Sequence, residues 1–289
     1  MTNWRKCCNI NLKGKFAEAI YEMENKKIYI HANITEMSKK IEKTLRSKLV
    51  KSGLRVFEEL TDDTELIVCI GGDGTLLYLM QENDFPSTPV VGINTGHLGF
   101  FQEIPPEKID DFIFKYNQGQ YTVQSFSTVM ATVVTGHGTF THTALNEIAV
   151  KGEVTYPVHL NISINESFIE RFSGDGICVA TPAGSTAYNY SLGGSIVDPG
   201  LDLLQVTPIA PMKSIAYRSF TSSLLLPPDG KLNVLPCDES DRKLNVIFDG
   251  RLASYEDVNS ITMELSSRKV NLVRFDDSNF WDKVKDKFL

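Results

Sequence analysis

Asp73 sits inside a glycine run, Gly71-Gly72-Asp73-Gly74-Thr75, with apolar stretches on both sides at residues 66–70 and 76–80. The pattern reads as a short buried strand, a tight turn and the start of a helix. Glycines let backbone N–H groups converge on a ligand, and a helix N-terminus favours a phosphate there. A carboxylate among such amides opposes simple anion binding. Its chemistry is that of a base for a hydroxyl, or of a Mg²⁺ contact. The plainer reading is an Asp that caps the helix. The turn is neither a Walker loop, since no Gly-Lys-Ser/Thr follows, nor a dinucleotide GxGxxG.

Four further stretches carry chemistry. Thr95-Gly96-His97-Leu98-Gly99-Phe100-Phe101 ends in two aromatics that suit a planar base. Ala144-Leu145-Asn146-Glu147-Ile148-Ala149-Val150 reads as an apolar strand with two polar side chains inside it. Burying them costs energy unless a partner bonds them, and a ligand diol is such a partner. Arg171-Phe172-Ser173-Gly174-Asp175-Gly176 is a second Gly-Asp-Gly turn. After an apolar run comes Thr181-Pro182-Ala183-Gly184-Ser185-Thr186-Ala187-Tyr188-Asn189-Tyr190-Ser191, dense in small hydroxyl residues that can bond ribose or phosphate.

The elements that must position these groups change character along the chain. A short amphipathic helix is expected around Phe16, Ala19, Ile20 and Met23, a strand at 27–33, and a helix from a Thr35 cap through Met37, Ile41, Leu45 and Leu49 to Gly53. Residues 89–94 read as a further strand, and Pro105-Pro106 opens a helix through Tyr116. Alternating strands and helices imply a parallel sheet, with ligands at the carboxyl ends of its strands, where Asp73 and Asn94 lie. From about residue 120, β-branched segments dominate: 129–135, 140–150, 158–164, 222–226, 232–235, 244–248, 261–265 and 270–275. The expected organisation is an α/β domain over 1–119 and a β-rich domain over 120–275. A closing amphipathic helix at 276–289 packs back on the first domain.

The 289 residues suffice for about two domains. A net charge of −7 argues against a nucleic-acid or anionic-membrane partner. No apolar run approaches the roughly 20 residues of a membrane span, and no signal peptide is evident. Five cysteines without CxxC spacing fit free thiols in a reducing cytoplasm, and the histidines show no HxxxH pair for a built-in metal.

Taken together, these motifs closely resemble the NAD kinase family, over about residues 26–289. The Gly-Gly-Asp-Gly-Thr turn alone is shared with diacylglycerol-type lipid kinases and phosphofructokinases. Asn146-Glu147, then Gly174-Asp175-Gly176, then Thr-Pro-x-Gly-Ser-Thr-Ala-Tyr is far more specific. The resemblance implies an N-terminal α/β domain, a β-sandwich-like C-terminal domain and NAD held between them. It implies phosphoryl transfer to the 2′-hydroxyl of the adenosine ribose, from ATP or polyphosphate, with Mg²⁺ carried by the donor. Asp73 matches the general base, with Gly74 beside it in the nucleotide site. Phe100 and Phe101 match the adenine wall, and Asn146 and Glu147 the residues that hold a ribose diol. Asp175, Ala187 and Tyr188 match the nicotinamide end, and Thr186 and Ser191 the adenine side; Arg171 and Ala210 match contact positions. Asn189 joins the candidates from the same polar loop. A homodimer or homotetramer is implied. Asp249-Gly250-Arg251 replaces the family's frequent Asp-Gly-Gln, and residues 212–219 depart from its His-x-Leu-x-x-Arg-Pro stretch. The rivals are a lipid kinase, which needs an apolar acyl slot, and a non-catalytic NAD(P)-binding sensor, which needs no base.

Overall fold

The computed structural model describes residues 26–96, 99–153, 156–213, 219–275 and 279–288. The helix expected near Phe16, together with His97, Leu98 and most of the 212–219 stretch, lies outside the described residues. The chain divides into two compact units. One takes the described residues up to Gln124 and those from Asn271 onward, and the other is Ser125–Val270.

In the first unit, β1 (Lys27–Ala32) leads to α1 (Glu36–Lys51), β2 (Arg55–Phe57), β3 (Leu66–Gly71), α2 (Asp73–Glu82), β4 (Val90–Asn94) and α3 (Ile109–Asn117). The strands run parallel in the order β2-β1-β3-β4. Every residue of β3 is buried, as a strand covered on both faces requires. Thr35 caps α1 as its sequence predicts, its side chain accepting from the Ser38 amide. Ile41, Leu45 and Leu49 then face a core made with Ile28, Val68, Ile93, Phe112 and Val273. Tyr121 stacks on Tyr116, and Phe275 meets Phe112 edge-on. The β-textured stretch therefore contributes both its ends to this core.

The second unit holds two antiparallel layers. Its strands are β5 (Thr122–Thr135, whose first residues lie in the first unit), β6 (Gly138–Ala144), β7 (Glu147–Lys151), β8 (Val158–Ile164), β9 (Ser167–Gly174) and β10 (Gly176–Ala180). After a 3-10 turn (Ala183–Thr186) and the short α4 (Tyr188–Ser191) come β11 (Leu204–Ile209), β12 (Leu224–Leu226), β13 (Leu232–Pro236), β14 (Leu244–Phe248), β15 (Arg251–Tyr255) and β16 (Val258–Arg274). One sheet has the order β12-β11-β10-β7-β14-β15. Strands β13, β8 and β9 pair in the other, β13 also bordering β16, while β5 and β6 form a hairpin. Side chains from both layers share one core, including Val129, Ile148, Leu160, Phe172, Val179, Val246 and Met263. This is the β-sandwich-like arrangement expected.

Two expectations are corrected here. The segments 261–265 and 270–275 merge into one strand, Val258–Arg274, with Ser266 buried within it. The strand expected over 140–150 breaks at Leu145-Asn146, so Asn146 lies in the break and only Glu147 stands on a strand. Strands β2, β9, β11 and β15 lie outside the expected segments.

The closing helix α5 (Phe280–Phe288) belongs to the first unit.

Candidate active site

In the first unit the sequence builds a strand–turn–helix whose first helical residue is Asp73. That side chain does not cap its own helix; the cap position is Gly72, with no side-chain bond. Instead Oδ2 accepts the Phe100 amide at 2.8 Å and Oδ1 the Phe101 amide at 3.1 Å. Both carboxylate oxygens are thus aimed by the loop after β4. Close approach demands Gly99: a Cβ there would lie 2.3 Å from Asp73 Oδ1. Gln102 fastens the same loop to the turn, its Nε2 donating to the Gly72 carbonyl and to Cys69 Sγ, both at 3.3 Å. Gly72 and Gly74 face open space, with nothing within 4 Å of a Cβ built on either. Backbone amides at the start of α2 are therefore approachable, which suits a phosphate.

Phe100 and Phe101 are buried. The Phe100 ring lies 5.6 Å from Phe280 and 6.1 Å from Phe288, with Lys287 Nζ 4.8 Å from its centroid. The face expected to wall an adenine is packed against α5. Asn94 turns back on its own loop, its Oδ1 accepting the Gly96 amide.

In the second unit a parallel device appears. Asp249 occupies the left-handed region (φ +47°) of the turn between β14 and β15, followed by Gly250 at +83°. Its two oxygens accept the Leu145 amide at 2.7 Å and the Asn146 amide at 2.8 Å. The Asn146 carbonyl accepts the Thr181 amide, and Thr181 Oγ1 donates to the Leu145 carbonyl at 2.6 Å. Gly184 approaches so closely that a Cβ would stand 2.0 Å from the Asn146 carbonyl. The polar loop is thereby locked to the Asn146-Glu147 corner.

Two acceptors are left over at that corner. Asn146 Oδ1 and Glu147 Oε2 are buried and lack hydrogen-bond partners among the described residues. Burial, then the Asp249 charge, pushes the Glu147 carboxyl up to about 8, with the Tyr188 backbone amide pulling it back. At neutral pH Glu147 is therefore mostly protonated, a donor as well as an acceptor. An unfilled Asn acceptor and a neutral carboxyl are suited to a vicinal diol.

Tyr188 comes to this corner, its backbone amide on Glu147, while Asp175 and Ala210 stand at the far end of the β7–β10 pair, beside Lys151 and Gly152. The Tyr188 hydroxyl is pushed up by burial and then by the charges of Cys178, Glu147 and Asp175, which places it near all three. Asp175 is exposed at the head of β10, its amide on the Ile209 carbonyl, and Ala210 follows with φ +43°. Thr186 and Ala187 are half-buried in the loop, and Ser191 is exposed. Asn189 is fully buried, and its Oδ1 accepts Thr207 Oγ1 at 2.6 Å, so it braces the loop from behind. Arg171 is not drawn in: it stands on β9, in the other sheet, with its guanidinium on Asp238 at 3.1 Å. Sequence reasoning missed Asp249 as a clamp. The signal was present, since Asp-Gly between two β-rich runs marks a hairpin turn.

Among the described residues, no group of three or more His, Cys, Asp or Glu gathers as a metal site. No helix among them is long and apolar enough to cross a membrane.

Comparison with known proteins agrees with this geometry. The ATP-NAD kinase N-terminal domain family model matches residues 11–121, and the ATP-NAD kinase C-terminal domain model matches 145–275. The NAD kinase of Finegoldia magna is 38% identical over 273 residues, covering 92% of this chain and all of that protein. The NAD kinase of Geobacillus stearothermophilus is 32% identical over 258 residues, 88% of this chain and 93% of the other. Among solved structures, yeast NADH kinase complexed with NADH superimposes with a TM-score of 0.77 at 20% identity, over 91% of this chain and 87% of that one. An NAD kinase from Archaeoglobus fulgidus in complex with ATP gives 0.70 at 24%, over 90% and 98%. These two show the fold. The family-model matches take in the second-unit motifs as well as the glycine turn, which decides against the lipid kinase reading. With the matched domains and relatives over nearly its whole length, this chain belongs to the NAD kinase family of phosphotransferases.

Proposed function

We propose that this chain transfers the terminal phosphoryl group of ATP or polyphosphate to the 2′-hydroxyl of the adenosine ribose of NAD, with Asp73 as general base. The observation that carries the reading is the double amide grip on Asp73. A carboxylate that merely capped a helix would turn toward its own amides. This one is held off them by the Phe100 and Phe101 amides, beside open backbone at Gly72 and Gly74. Phosphoryl transfer is chiefly positioning and charge neutralisation. Asp73 takes the hydroxyl proton as the oxygen attacks, and the α2 amides receive negative charge from the phosphates. Mg²⁺ carried by the donor would supply positive charge that screens the phosphates from Asp73. Asn146 and Glu147 supply an acceptor and a neutral carboxyl for a ribose diol. Thr186, Ala187, Tyr188, Ser191, Asp175 and Ala210 line the dinucleotide's path, and Phe101 bounds the adenine, while Phe100 anchors the loop on α5. A homo-oligomer working in the cytoplasm completes the reading.

The test is NADP formation from NAD and Mg²⁺, run in parallel with ATP and with polyphosphate, the product's 2′-phosphate identified by phosphorus NMR. A 2′-phosphorylated product with at least one donor is expected. Measurable NAD binding without product from either would overturn the reading.

A further inference from the structure

The loop that aims Asp73 is itself tied to the last helix. Lys283, on α5, donates from Nζ to the Phe100 carbonyl at 3.0 Å and to Glu103 Oε1 at 2.7 Å. Arg274, at the end of β16, also pairs with Glu103 Oε1. All three side chains are nearly buried, at 11–14% exposure. Burial pulls the Lys283 ammonium and the Arg274 guanidinium down, and the carboxylates of Glu103 and Asp73 push both back. An apolar trio would hold a loop at lower desolvation cost. Asp73 is a second carboxylate beside both cations.

We infer that Lys283 is a positioning residue for the Asp73 reaction. Its bond to the Phe100 carbonyl fixes the loop whose amides aim the Asp73 carboxylate. The inference rests on the reading of Asp73 as base. The peptide after Phe100 is the physical link: α5 holds the carbonyl of Phe100 while Asp73 holds the amides of Phe100 and Phe101. Phe280 and Phe288, packed on the Phe100 ring, fix the same segment from its apolar side.

The experiment compares Lys283→Met, Lys283→Gln and Lys283→Arg with wild type and Asp73→Asn. Steady-state rates are measured, and exchange of the Phe100 and Phe101 amides is followed by NMR. Lys283→Met is expected to lower kcat about 10- to 100-fold with KM for NAD changed less than about threefold, as for lost alignment. It also speeds exchange at both amides. Lys283→Arg, a donor of similar reach, recovers both, and the shorter Lys283→Gln recovers only part. A folded Lys283→Met with wild-type kcat and protected amides would overturn the inference. So would a Lys283→Arg no better than Lys283→Gln in kcat and amide protection, which decides the matter if the Met variant fails to fold. Should Asp73→Asn keep its activity while Lys283→Met still loosens the amides, the base reading fails while the anchoring stands.

Discussion

Each unit uses an aspartate to grip two consecutive backbone amides, and the two grips do opposite work. Asp73 takes the amides of Phe100 and Phe101 in surroundings supplied with the cations Arg274 and Lys283. Asp249 takes the amides of Leu145 and Asn146 in surroundings that hold a second carboxyl, Glu147. In the first, the gripping carboxylate stands near two cations and keeps spare lone pairs. In the second, the gripping carboxylate is structural, and its charge pushes the proton onto its neighbour. The same local motif thus lies beside cations in one unit and beside a neutral hydrogen-bonding corner in the other. What differs is the sign of the charge next door.

The sharpest way to break this contrast is to neutralise the first grip. Asp73→Asn keeps one amide acceptor and loses the proton acceptor. We expect kcat to fall roughly 10²- to 10⁴-fold, the range for a positioned base. NAD affinity by titration calorimetry should change far less. If binding disappears along with turnover, the residue holds substrate rather than taking its proton.

The second corner should fail in the other parameter. Asn146→Ala or Glu147→Ala removes a buried acceptor matched to a ligand hydroxyl. Loss of one such bond costs about 1–3 kcal/mol, or roughly 5- to 150-fold. The loss is expected in KM for NAD, with kcat within a few-fold. A fall in kcat at constant KM, in protein of normal stability, would remove the ribose-holding role.

Glu147→Gln tests the charge logic without removing the hydrogen bonds. The folded value near 8 lies above that of an ordinary carboxyl, so the folded protein holds the proton more tightly than the unfolded chain. The stability contribution is complete below the unfolded value near 4.5 and is lost as pH rises through about 8. The glutamine variant, which cannot ionise, should therefore flatten the dependence of Tm on pH across that window. It should melt a few degrees above wild type at pH 9 and almost equal it at pH 5. Wild-type NAD affinity should weaken above pH 8 while that of the variant stays level. Parallel melting profiles for the two proteins would show that Glu147 is ionised throughout.

The contrast was only half legible in the sequence. The glycine turn, the strand before it and the Thr35-capped helix follow from short-range periodicity and turn chemistry, and they stand where the residues put them. The partners of the two grips do not. Asp73 and Phe100 are 27 residues apart, and Asp249 and Leu145 are 104 apart. Periodicity within one element says nothing about which amides a distant carboxylate will find. The break at Leu145-Asn146 was hidden for the same reason: seven residues of apolar-rich strand pattern run through it, and only the Asp249 carboxylate explains why the ladder stops. Glu103, Arg274 and Lys283 read as ordinary charged residues until the fold buries them together.

The smallest expected effect concerns the residue that the comparison leaves out. Arg171 was expected as a contact from the resemblance, yet its side chain is about half exposed and pairs with the equally exposed Asp238. An ion pair of that kind contributes between nothing and about 1 kcal/mol. The strand that carries it belongs to the sheet opposite the Asn146-Glu147 corner. Arg171→Ala should therefore leave KM for NAD within about twofold, and Tm within about a degree, of wild type. An increase in KM of tenfold or more would mean that the guanidinium leaves Asp238 for the substrate's phosphates on binding. The second corner would then also recruit positive charge, and the division of labour between the two units would have to be redrawn.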